Sequence, residues 1–205
     1  MPLETGDWGL AIAYFLASGI AMAIVAIVFC ASNKWVLMGV YKPVMKPMWS
    51  FWAMRTEAIA VLYGGLVGKA SSEFLRGTPF LPWALRLYGC RIGKGVWMEL
   101  TDVTEFDCVT VGDYCSLNMM SCLQTHLYED RIMKVGRVHL GCGVTVGPGA
   151  TVLYDSVVGD WAQLGPLTVV MKGEAIPGNT QWVGAPAEPF VPALAADKQE
   201  GRAAA

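Results

Sequence analysis

The sequence predicts a mainly β protein, in which a parallel β-helix of six-residue segments follows one N-terminal transmembrane helix and an interfacial helical connector. Three observations predict it. An apolar residue returns at every sixth position from Leu140 to Trp182. Residues 8–33 hold no charged side chain. Between these stretches Trp, Tyr and Met are mixed with Lys, Arg and Pro. The resulting division is a transmembrane helix at 1–33, a connector at 34–91, a β-helix at 92–190 and a disordered tail at 191–205. Lys and Arg are scattered and the formal net charge is only −2, so no basic stripe points to nucleic acid.

The first element is justified by length and hydropathy. "WGLAIAYFLASGIAMAIVAIVFCASN" is long enough to cross a hydrocarbon layer of about 30 Å as a helix. Its small residues, among them Ala13, Ala17 and Ala21, permit close approach of another helix. A secretory signal would carry its positive charge ahead of the apolar run. Here Glu4 and Asp7 precede it, and Lys34, Lys42, Lys46 and Arg55 follow. The basic side stays in the cytoplasm, so the sequence places the helix in the inner (cytoplasmic) membrane with the β-helix in the cytoplasm.

The connector follows. Aromatic and basic residues together suit a membrane–water interface, and Pro43 and Pro47 forbid a continuous helix there. A helix packed on the next domain would carry the same amphipathic pattern, so that alternative stays open.

The third element rests on register. Leu140, Val146, Val152, Val158, Leu164, Val170, Ile176 and Trp182 are spaced by six. Gly141, Gly147, Gly159 and Gly165 each follow one of them. Val144, Ala150, Ser156, Ala162 and Thr168, small or β-branched, recur at a second fixed position. Val111, Leu117 and Leu123 start the array, and its phase slips once between Met98 and Val111. A period of six is neither helix nor simple strand; it marks a parallel β-helix. Each segment supplies one side of a triangular coil. The large aliphatic stacks inward, the small residue fits near the corner, and Gly is expected to relax the turn. These residues resemble the left-handed β-helix of hexapeptide acyltransferases, and the handedness is implied by that resemblance alone.

The array breaks inside "SCLQTHLYEDRIM". Between Leu123 and Leu140 no hexad fits, and the segment is polar. Solenoids tolerate insertions at corners, and such excursions hold function. His126 stands at the exit from the wall, and it is one of only two histidines. A neutral imidazole accepts a proton from an amine or hydroxyl near neutral pH. In the acyltransferases that the array resembles, a histidine in a comparable loop activates the acceptor, in a groove between adjoining β-helices. That implies a catalytic His126. Gln124, Thr125, Asp130 and Arg131 around it, with Glu99 and Asn118 on the coils, are candidates to bind substrate. Glu105 and Asp107, at the phase slip, are further candidates to orient the imidazole. His139 immediately precedes inward Leu140 and should point outward. Two histidines are too few for a three-histidine zinc site, and no metal is expected. No pair of the six cysteines is spaced C-x-x-C, so buried reduced thiols are expected.

A narrower resemblance rests on "RTE" at 55–57, "GTPFLPWALRLYGCRIGKGVW" from Gly77, "QTHLYEDRIM" from Gln124 and "VMKGEAIPGNTQWVGAP" from Val170. These are similar to the C-terminal membrane helix and β-helix module of the ε-poly-lysine synthetase family of non-ribosomal peptide synthetases, over roughly residues 33–190. In that family an adenylation domain and a carrier domain load an amino acid as a phosphopantetheine thioester, and β-helix domains form the peptide or isopeptide bond. The resemblance implies an amide-forming acyltransferase whose donor is linked to phosphopantetheine, on a carrier or on CoA. In the final coil Gly184, Ala185 and Pro186, with Lys172, would flank the donor. A groove between β-helices implies a homotrimer. An adenylation or carrier protein is a possible partner, and the chain reads as part of a longer synthetase or as a stand-alone relative. Two other readings remain: an acetyl-CoA-dependent transferase acting on a sugar or small acceptor, and a non-catalytic trimerisation scaffold.

Overall fold

The computed structural model describes residues 8–191. Glu4, Asp7 and nearly all of the expected disordered tail lie outside the described residues.

Helix α1 (Trp8–Leu37) runs past the expected end at residue 33. Nothing breaks it before Gly39, whose positive φ closes it with N–H groups of Met38 and Gly39 donating to the Lys34 carbonyl. It is the one helix among the described residues long and apolar enough to cross a membrane. Residues 8–25 stand almost wholly exposed. At about 1.5 Å per residue they rise about 27 Å, close to the hydrocarbon thickness. The rest of α1 packs on the connector. Tyr88 donates its hydroxyl to the Ile27 carbonyl (2.9 Å), and Trp35 its indole N–H to the Leu87 carbonyl (2.8 Å). Lys34 is fully buried and its Nζ meets Asp107 Oδ2 at 2.6 Å.

The connector departs from the all-helical expectation. Pro43 and Pro47 exclude helix, and strand β1 (Val44–Pro47) forms between them. It lies at a sheet edge, where a proline costs no ladder bond. Helix α2 (Phe51–Leu62) is capped by Ser50, whose Oγ accepts the Ala53 N–H at 3.2 Å. A wider π-helical stretch (Tyr63–Ser72) and the short α3 (Glu73–Leu75) follow, then α4 (Phe80–Tyr88), which ends at Gly89 with φ +113. Ala53, Ile59, Leu81, Leu85 and Tyr88 are buried. Tyr88 stacks on Phe106 with ring centroids 4.8 Å apart, and Tyr63 meets both rings edge-on at 5.2–5.4 Å. Phe51, Met54, Val61, Phe80, Trp83 and Leu87 stay exposed on the other faces.

The hexads build three parallel sheets. One carries β2 (Arg91–Ile92), β4 (Val109–Val111), β9 (Val138–Leu140), β12 (Ser156–Val158) and β15 (Ala175–Ile176). The second carries β3 (Trp97–Met98), β5 (Ser116–Leu117), β10 (Thr145–Val146), β13 (Gln163–Leu164) and β16 (Gln181–Val183), with β17 (Glu188–Pro189) turned back antiparallel on its edge. The third carries β6 (Cys122–Gln124), β11 (Thr151–Leu153) and β14 (Val169–Val170). Val152 pairs with Val170, which sets a coil of 18 residues. Ile92 pairs with Val111, a coil of 19 that contains the phase slip. Leu123 pairs with Val152, a coil of 29 that contains the break. The inward column, from Val111 to Ile176, is buried. So are the small residues Cys115, Val144, Ala150, Ala162 and Thr168.

The glycines do a different job from the one expected. Gly141, Gly147, Gly159 and Gly165 do not have positive φ. A Cβ on Gly147 would lie 2.6 Å from the Gly165 carbonyl carbon, so these sites are glycine because adjacent coils touch there. From Val111 to Ile176 the left-handed residue comes three positions after each inward one except Leu123: Tyr114, Met120, Gly143, Gly149, Asp155, Trp161, Leu167, Gly173 and Asn179. Of the cysteines, Cys30, Cys90, Cys108 and Cys115 are buried and unbridged, whereas Cys122 is half-buried and Cys142 exposed.

Candidate active site

His126 stands three residues after inward Leu123, where the other coils place a left-handed corner. Here the chain does not turn. It continues as strand β7 (His126–Glu129), reverses at Asp130 and Arg131, and returns as β8 (Ile132–Val135). Asp130 and Arg131 have φ of +52 and +62, the signature of a tight hairpin turn. The excursion is therefore an ordered hairpin. Strand β1 of the connector adds to its free edge, with Val44 opposite Val135 and Pro47 opposite Ile132. His126 itself pairs with Val135 at the base of the hairpin.

The imidazole is largely enclosed: its side chain is 14% exposed. Its Nδ1 lies 2.8 Å from Oε2 of Glu105, which is fully buried. A carboxylate accepts, so Nδ1 carries a proton, and in the neutral imidazole Nε2 keeps its lone pair. The same Oε2 accepts the hydroxyls of Thr125 (2.6 Å) and Thr104 (2.7 Å). Burial opposes the imidazolium, but the hydrogen bond and charge of Glu105 outweigh it and hold the His126 pKa above its usual value. Glu57 and Asp102 add to that field. Burial likewise raises the Glu105 carboxyl, yet His126 and the two threonine hydroxyls bring it below the ordinary glutamate range. The Tyr128 ring meets the imidazole edge-on at 5.6 Å, and its hydroxyl donates to Glu57 Oε1 on α2.

The structure gathers some of the expected residues and separates others. Thr125 joins the His126–Glu105 cluster, and Gln124 donates to the His126 carbonyl at 2.8 Å. Asp130 and Arg131 form the hairpin tip, where the Arg131 carbonyl accepts the Met48 N–H. Asn118 lines a groove of 390 Å³ on the second sheet and donates to the Val146 carbonyl, and Glu99 sits half-buried at the end of β3. Lys172 and Gly184 lie at opposite ends of β14. The Gly184 carbonyl accepts the Val169 N–H, and Lys172 Nζ meets Glu129 of the hairpin at 2.5 Å. Ala185 and Pro186, like Gly184, are exposed. His139 points outward between buried Val138 and Leu140. Thr104 has no signal in the sequence, and Glu57 and Tyr128 fall within motifs that carry the resemblance without a site role attached to either. Glu57 comes from 71 residues away, a distance no local pattern bridges.

Coils of hexapeptides and a histidine at their one interruption define a hexapeptide-repeat protein joined to a membrane-length helix. No protein-family model matches the chain. It is 46% identical over 189 residues to the Delta-poly-L-ornithine synthetase of Acinetobacter baumannii (strain AB307-0294), an alignment that takes in 92% of this chain and 14% of that protein. The resemblance to the helix-plus-β-helix module of poly-amino-acid synthetases therefore holds, and the chain spans about one seventh of the relative's length. Among solved structures, a hexapeptide-repeat acetyltransferase from Vibrio cholerae O1 biovar eltor, complexed with acetyl coenzyme A, is similar at 13% identity and a TM-score of 0.49, over 70% of this chain and 90% of that one. A maltose O-acetyltransferase from Clostridium difficile 630 is similar at 19% identity and a TM-score of 0.45, over 60% and 82% of the two chains.

Proposed function

We propose that the chain is a membrane-anchored acyltransferase module that joins an aminoacyl thioester to an amine as a peptide or isopeptide bond. The observation that carries this reading is the His126–Glu105 pair at the break of the coil. His126 Nε2 takes a proton from the amine as its nitrogen attacks the thioester carbon. The C–N bond forms, the C–S bond breaks, and the thiolate departs with the proton that the imidazole held. Glu105 fixes the tautomer and stabilises the imidazolium in between. The relative's name points to a diamino acid of the ornithine type as monomer. The negative field of Glu57 and Asp102 around His126 suits such a cationic acceptor.

The finer parts of the reading follow from the same frame. The coil is left-handed. Three copies associate, and each site opens into a groove completed by a neighbour. Gly184, Ala185 and Pro186 border the channel for the phosphopantetheine arm of a carrier-bound donor, which an adenylation–carrier partner supplies. Helix α1 spans the inner membrane with the β-helix in the cytoplasm, and the exposed Phe80, Trp83 and Leu87 of α4 rest at the lipid interface.

The test mixes the detergent-solubilised chain with free ornithine and a carrier protein loaded with labelled ornithine, and in parallel with labelled acetyl-CoA. Carrier-dependent peptide is expected, reduced about 10²- to 10⁴-fold in His126→Ala. Undiminished product in that variant would remove the base. Transfer from acetyl-CoA alone would move the donor to CoA, and transfer from neither would leave a scaffold.

A further inference from the structure

We infer that a second site, separate from His126, binds a phosphate group in the groove between the first sheet and the connector. This groove encloses 610 Å³. Its floor is a column set by strand register: Arg91 lies beside Thr110, and Thr110 beside His139. All three side chains point outward from their strands. Neighbouring strands are about 4.8 Å apart, so the column offers a guanidinium, a hydroxyl and an imidazole over roughly 10 Å. Lys42 from the connector and Arg137 from the return of the hairpin line the same groove.

The charge balance favours an anion. Among the described residues, the side chains of Lys42, Arg91 and Arg137 make no ion pair, whereas Lys34, Arg76, Lys134 and Lys172 each hold a carboxylate. Two acids line the groove, Asp107 and Asp155. Asp107 already holds Lys34 Nζ at 2.6 Å and the Tyr41 N–H at 2.9 Å. Asp155 accepts the backbone N–H of Arg137 at 3.1 Å and leaves one uncancelled negative charge against three cations. Guanidinium groups bind phosphate in a two-pronged manner, and the Thr110 hydroxyl between Arg91 and His139 supplies a further donor. The phosphate belongs to an anionic lipid headgroup or to a soluble phosphate compound. Val40, Tyr41 and Lys42 line the groove just past the end of α1, on its expected cytoplasmic side, and the lipid source alone rests on α1 spanning the membrane.

The test reads His139 directly, because the chain has only two histidines and His126→Gln leaves one imidazole signal. The full chain in neutral detergent is titrated with inorganic pyrophosphate, and separately placed in nanodiscs of phosphatidylcholine with or without phosphatidylglycerol. A saturable shift of the His139 signal is expected in at least one arm. Arg91→Gln and Arg137→Gln should weaken it about tenfold or more, while Lys94→Gln, which also removes one exposed charge, leaves it unchanged. A shift with pyrophosphate establishes a site for soluble phosphate, and one with phosphatidylglycerol alone establishes a headgroup site. No saturable shift in either arm overturns the proposal, as does equal weakening by Lys94→Gln. The pyrophosphate arm depends neither on acyl transfer nor on the span.

Discussion

Glu105→Gln changes one atom and removes one charge, 2.8 Å from the His126 ring. Glu105 is fully buried and the His126 side chain is 14% exposed, so water screens the pair weakly. An opposite charge at this range shifts a partner by about 1–3 pH units, worth roughly 1.4–4 kcal/mol. With Glu105 neutral, only burial remains as the larger influence on His126, and burial lowers an imidazole pKa. The His126 pKa should therefore fall, with Glu57 and Asp102 left as the charges that still favour the imidazolium. The assay is a proton NMR titration of the imidazole signal in a His139→Gln background, which leaves His126 as the sole histidine. The same variant should carry the acid limb of any rate–pH profile to lower pH, because the base loses its proton sooner. Its maximal rate should drop all the same, because the imidazolium of the transition state has lost its partner. A His126 pKa in Glu105→Gln equal to or above the wild-type value would refute the orienting role of Glu105.

Three further outcomes follow. Lys34→Met strands Asp107 against the buried end of α1, and loss of one partner of such a pair costs about 3–5 kcal/mol. Lys34→Met combined with Asp107→Leu should cost less than the two single changes added, read as melting temperatures in detergent. Gly143→Ala should destabilise strongly, because its Cβ would lie 2.3 Å from the Trp161 ring. Trp161→Ala should relieve most of that, leaving about 1–2 kcal/mol for an alanine held at φ +66. The pH dependence of stability has two limbs. The raised His126 contributes fully below its unfolded pKa of about 6.5 and is lost as pH rises through its folded value; the depressed Glu105 contributes above about 4.3 and is lost as pH falls through its own. Wild type should thus exceed Glu105→Gln in melting temperature most between those two values, and a gap that is flat from pH 4 to 8 contradicts the linkage.

The hexads were legible because each coil repeats the same local problem. A residue such as Val152 must fill the space between Leu123 and Val170 whatever lies elsewhere, so a period of six shows through. The phase slip and the break at His126 were legible for the same reason, as departures from a rule. The hairpin was not. Its turn is Asp130-Arg131, without the glycine that advertises a two-residue reversal. Strand β1 was hidden too, since Val44–Pro47 becomes a strand only by meeting β8. The role of the glycines after the inward residues is not legible either, because close approach of coils and a left-handed φ both demand glycine and look alike in one dimension.

The sequence by itself determined the column of aliphatics, the corners, the apolar helix and the place where the array stops, because each depends on neighbours at a fixed spacing. Only the tertiary structure decided which acid holds the imidazole, that α2 reaches Tyr128 through Glu57, and that Lys34 fastens α1 to Asp107. Those partners lie 21, 71 and 73 residues apart, and chain closure over such lengths leaves no periodic trace for composition or spacing to reveal.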